Sequence, residues 1–177
     1  MEQERLLNLG EERFTEFTDK VQGMTARAED LLFRAQRWAN AVKNKTAYKD
    51  NLFADDLQIL RRHVRSFIQD STSLAGLMEW IDRECHFDPD TRALDKARSL
   101  LKMVSQFEKD LANLNEQLRH LHHLVPETDL KVEAWYMVQD VEVLYDKAKG
   151  YPFLISSRVM LKISTPENGT QDSGPPA

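Results

Sequence analysis

Between residues 13 and 42 the apolar positions are Phe14, Phe17, Val21, Met24, Ala28, Leu31, Ala35, Trp38 and Val42, in alternating steps of three and four. That spacing holds one stripe on one side of an α-helix, as in a coiled-coil seam. The stripe runs back through Gly10 to Leu7. A second seam follows at Phe53, Leu57, Leu60, Val64, Phe67, Ser71, Leu74, Met78 and Ile81. A third comprises Ala93, Ala97, Leu100, Val104, Phe107, Leu111, Leu114, Leu118, Leu121 and Val125. A fourth contains Leu130, Ala134, Met137, Val141, Leu144, Ala148 and Tyr151. A strand alternates with period two, and none of these segments does. The pattern predicts an all-α protein.

The breaks between seams set the expected topology. In HFDPDTRALD, Asp88 is placed to cap a helix that begins at Pro89, where proline's missing N–H costs nothing. LVPETDLK makes a short connection around Pro126, and Gly150 with Pro152 stops or kinks the fourth segment. KNKTAYKDN, between the first two seams, is polar but has neither glycine nor proline. It admits two architectures. If residues 44–51 form a loop, the chain is an antiparallel four-helix bundle with heptad packing. If they are helical, residues 4–86 form one rod about 120 Å long with two helices folded back. The bundle is favoured, because a stripe that long would need an outside partner to cover it. Residues 1–163 are expected to form the helical domain, and 164–177, including PENGTQDSGPPA, a disordered tail.

Composition narrows the function classes. The 177 residues suffice for one domain with a real core, and 41% hydrophobic with 30% charged residues suits amphipathic helices. A net charge of −5 argues against general nucleic-acid binding. The single cysteine, Cys85, cannot form an internal disulfide. The first residues carry no apolar run of signal-peptide length, and no stretch is apolar enough to span a membrane. The expected compartment is the cytoplasm, with the nucleus as the other candidate.

No segment announces a chemistry. RHLHHL places His120 and His123 on one face of a helix, but leucines surround them rather than carboxylates or cysteines. Histidines at a helix's carbonyl end suit its dipole. Cys85 and His86 are adjacent, so on a helix their side chains diverge and cannot form a nucleophile–base pair. Glu11–Glu12, Asp55–Asp56 and Asp88 with Asp90 lack any companion histidine motif, calcium loop or glycine-rich phosphate loop. No catalytic, cofactor-binding or metal residues are assigned, and the chain is read as a non-enzyme without a cofactor.

LAGLMEWIDREC carries the Trp80–Ile81 pair, and ALDKARSLLKMVSQFEKDLANLNEQLRHL sets Leu100, Leu101, Phe107, Leu111 and Leu114 at regular apolar places. EAWYMVQDVEVLYDKA follows, with Trp135 early and Leu144 in the middle. In these features residues 74–149 resemble a spectrin-type three-helix repeat. The resemblance covers less than half of the chain. It implies a cytoskeletal, scaffolding or adaptor role without catalysis.

The fourth segment differs from the others. Besides its seam it carries Val132, Trp135, Tyr136, Val138, Val143 and Tyr145, so apolar residues circle the helix. Such a helix is buried on more than one side. After Gly150 comes YPFLISSRVMLKI, too apolar to be free tail. Trp135, Tyr136, Tyr151, Phe153, Leu154, Ile155 and Val159 are therefore the expected partner-binding residues, aromatic anchors first. The expected function is a non-catalytic protein–protein interaction module: an adaptor, a scaffold or a subunit of a larger intracellular complex. The partner is another protein, met through the fourth helix and residues 150–163. A homodimer stays open, though self-coverage makes a second copy unnecessary. The alternative is a peripheral membrane protein that uses the basic positions Arg27, Arg34, Arg37, Lys43, Lys45, Lys49, Arg61, Arg62 and Arg65.

Overall fold

A computed structural model describes residues 2–84 and 92–164, with side chains up to Ser157 in the last helix. The described residues form six α-helices and no strand: α1 (Glu2–Lys43), α2 (Phe53–Asp70), α3 (Thr72–Glu84), α4 (Arg92–Leu124), α5 (Thr128–Ala148) and α6 (Gly150–Ser164). The fold is all-α. The expected helix start at Asp88 and Pro89, the site of Cys85 and His86, and the tail from residue 165 lie outside the described residues.

The seams are the core. All the predicted positions of the second, third and fourth seams are buried, and so is the first from Leu7 to Trp38. The exception is Val42, which is exposed, while Ala41 takes the inward place. Ala41 lies at the C-cap of α1, where its carbonyl accepts from the Thr46 N–H (2.9 Å) and the Thr46 hydroxyl (3.3 Å) as the chain turns over it.

Residues 44–51 are a connection, so the single-rod alternative is excluded. Lys45 has φ 54°, in the left-handed region. Its N–H donates to the Val42 carbonyl (3.3 Å), and the Thr46 N–H donates to the Ala41 carbonyl (2.9 Å). This is a Schellman C-cap built on a lysine where glycine is usual. Arg34 then fastens the connection. Its Nε and Nη2 donate to Asp50 (2.5 and 2.8 Å), and its Nη1 donates to Asp56 (2.6 Å). Asp50 Oδ1 also accepts the Leu52 N–H (3.1 Å), which turns the chain into α2.

Two other breaks are only bends. At the α2–α3 joint Ser71 keeps helical dihedrals, and the hydroxyls of Ser71, Thr72 and Ser73 donate back to the carbonyls of Ile68, Gln69 and Asp70. Three consecutive side-chain bonds of this kind compete with the helix ladder and bend it. At the α5–α6 joint Lys149 is helical, and Pro152 has no N–H to offer the Ala148 carbonyl. Helix α3 thus continues α2, and α6 continues α5.

Contacts give the direction of each helix. Glu4 meets Lys96 (3.6 Å), Phe14 meets Phe107 (centroids 5.5 Å) and Gln22 meets Asp110 (3.3 Å), so α1 and α4 run parallel. Phe17 against Phe67, Arg27 against His63 and Trp38 against Phe53 run in opposite order, so α1 and α2 are antiparallel. Arg119–Glu142 and His122–Lys131 make α4 and α5 antiparallel as well. The chain is two antiparallel hairpins set side by side. Helix α1 lies along α4, and α2 lies along α5, which leaves α1 and α5 on opposite sides of the core. Gly10 faces the α1–α4 contact, and a Cβ there would stand 3.5 Å from Leu100 and Leu77, an ordinary packing distance.

Candidate protein-binding face

Helix α5 has two sides. Its inward seam runs through Leu130, Ala134, Met137, Val141, Leu144 and Ala148, with Val138 also buried, against α4 and α2. Two residues further along from each seam position lies a second row: Val132, Tyr136, Gln139, Val143, Asp146, Gly150 and Phe153. A shift of two residues is a turn of about 200° on a helix, so this row faces away from the core. All seven positions are exposed, and Phe153 at 77% is the most exposed large apolar side chain among the described residues.

Neighbouring helices hold this face in place. The Arg61 guanidinium, from α2, lies 5.0 Å over the Tyr136 ring and pairs with Glu133. On the other flank Arg119 of α4 binds Glu142 at 3.0 Å. Trp135 stacks on His122 with centroids 5.1 Å apart. His122 Nδ1 is 2.9 Å from the Lys131 carbonyl, and Lys131 Nζ donates to the carbonyls of His122 and His123. Lys131 therefore occupies the carbonyl end of α4, the role the sequence assigned to the histidines. The signal was its position five residues after Pro126, where the returning helix passes the end it has just left.

The expected partner-binding residues divide. Trp135 is partly exposed at 38%, Tyr136 at 47%, and Phe153 is open. Leu154 is half-buried and packs against the core. Tyr151 and Ile155 are corrections: both are buried, Tyr151 against Phe14 and Ile155 with no exposure, so neither presents surface to a partner. They continue the inward seam past Ala148 because the joint at Lys149 keeps the helical phase. Burial pushes the Tyr151 phenol's pKa up, and its hydroxyl has no hydrogen-bond partner. Val159 lies outside the residues whose side chains are described. Val132 and Val143 belong to the exposed row and were noted in the sequence only as apolar.

Other exposed apolar residues, Leu9, Phe33, Val42, Leu52 and Ile59, do not form such a row. Several of the basic positions named from the sequence are engaged within the chain. Arg34 is bound by Asp50 and Asp56, Arg61 by Glu133 and Lys49 by Glu127, and Arg37 lies over the Phe33 and Tyr48 rings. Among the described residues no group of three or more His, Cys, Asp or Glu is placed to hold a metal ion. No helix of the described residues is long and apolar enough to cross a membrane. Comparison with known proteins finds no matching family model, no similar curated protein and no similar solved structure.

Proposed function

We propose that the chain is a non-catalytic protein–protein interaction module, an adaptor or subunit of a larger assembly, that binds through the outer face of α5 and the start of α6. The observation that carries this reading is the exposed row from Val132 to Phe153. A solvated helix face has no use for Val, Tyr, Val and Phe at heptad spacing, whereas a helix docked along it would bury them. Arg61 and Arg119 fix the flanks, so the face is held ready and little ordering is needed on binding. The likeness of residues 74–149 to a spectrin-type repeat points the same way.

The test is affinity co-purification of the full chain from native extract, beside Tyr136→Glu, Val143→Asp and Phe153→Asp. Point substitutions serve better than truncation after Lys149, which would strip Tyr151 and Ile155 from the core. A stoichiometric companion lost in all three variants, with helicity and melting unchanged, is the expected result. A companion retained by all three would place the interface elsewhere and end this reading.

A further inference from the structure

We infer that the outer row of α5 and α6 pairs with itself: two copies of this chain associate through it, antiparallel, about a two-fold axis between Val143 and Asp146. This rests on the reading of that row as an interface and names its occupant. The row is a second heptad seam, with steps of four and three from Val132 to Phe153 over about 32 Å of helix at 1.5 Å per residue. Its charges are ordered. Along the edge that faces α2, the first half carries Glu133 and Asp140 and the second half Lys147. Neither Asp140 nor Lys147 makes an ion pair within the chain among the described residues, so both charges are available.

An antiparallel copy aligned on that axis brings Asp140 beside the partner's Lys147, and Lys147 beside the partner's Asp140. In the same register Tyr136 faces the partner's Phe153, and this aromatic layer occurs twice, once toward each end. Gln139 faces the partner's Gly150, where nothing lies within 4 Å of a would-be Cβ and the amide has room. Val143 faces the partner's Asp146, whose carboxylate already accepts from Lys149 Nζ at 3.1 Å. By the same symmetry this layer also occurs twice, and polar positions within a seam select register at a cost in affinity. The parallel alternative sets Asp146 directly opposite the partner's Asp146, whereas the antiparallel copy sets it opposite Val143 and pairs Asp140 with Lys147 along the edge. The pairing is isologous, so it closes as a dimer.

The experiment is sedimentation equilibrium of the full chain over a wide concentration range, with Lys147→Glu, the double variant Asp140→Lys/Lys147→Glu, and Asp146→Leu. These side chains are exposed, and circular dichroism checks that each variant folds. A reversible dimer is expected for the native chain. Lys147→Glu turns two attractive contacts repulsive and should weaken it roughly tenfold. The double variant restores opposite charges and should return the dissociation constant to within about threefold of native. Asp146→Leu removes the two central polar layers and should tighten the dimer by tenfold or more. A dimer unmoved by all three variants, or a chain that stays monomeric, overturns the self-pairing. If the chain is monomeric but Val143→Asp still loses a companion from extract, the face binds a different protein and only the second copy is wrong. If it is monomeric and no companion is lost, both proposals fall.

Discussion

Replacing Arg34 by alanine should detach the connection between α1 and α2 from the helix that anchors it. The substitution removes two contacts to Asp50, one to Asp56 and the guanidinium lying 5.7 Å over the Phe53 ring. The side chains of Arg34 and Asp50 retain 19% and 12% of their exposure, so the pair stands between two regimes. Exposed pairs contribute about 0.2–1 kcal/mol, and breaking a buried one costs about 3–5 kcal/mol. The bidentate geometry places the loss at about 2 kcal/mol. Urea unfolding of Arg34→Ala, Asp50→Ala and the double variant isolates the pair, with an expected coupling of about 1–2 kcal/mol. The exposed Lys20–Glu16 pair, two heptads earlier in α1, should show about 0.5 kcal/mol or less in the same cycle. The pH dependence has a definite sign. The Arg34 hydrogen bonds hold the Asp50 carboxyl below its usual range. Its folded pKa is therefore lower than its unfolded one. The contribution is complete above an ordinary aspartate pKa, about 4, and is lost as pH falls through the folded value. Asp50→Asn should lack that acid-labile part. Additive single variants, or an Asp50→Asn protein as acid-sensitive as the native chain, would refute the clamp.

Two further substitutions test other features of the core and its caps. Lys45→Gly relieves a left-handed backbone at the C-cap of α1 and should raise stability by about 0.5–1 kcal/mol, read as a higher urea midpoint with an unchanged slope; a lower midpoint would count against the Schellman assignment. Asn115, buried in α4, has a side-chain oxygen without a partner, so Asn115→Leu should stabilise by about 1 kcal/mol in the same assay, and a loss instead would show that the amide is satisfied after all.

Periodicity alone determined that this protein is helical and, outside the twice-apolar α5 and α6, which side of each helix turns inward. Apolar burial is the dominant favourable term, and a heptad seam allows one inward side. The inward phase survived the bends at Ser71 and Lys149, so Leu74 and Tyr151 entered the core where their seams place them, and Ile155, expected at an interface, followed them inward. The end of α1 was legible only as the favoured of two alternatives, because its C-cap rests on Lys45 rather than a glycine and its anchor is Arg34, which lies sixteen residues before Asp50. The arrangement of the helices was not legible. Seams state that a face is covered, not by which neighbour or in which direction. That was decided by contacts far apart in sequence, such as Phe14 with Phe107 and Arg61 with Glu133. The outer row of α5 shows the same division. Its residues are plain in the sequence, but whether Tyr136 and Phe153 or Tyr151 and Ile155 face outward depends on which seam the rest of the fold covers, and only the packed structure assigns that side.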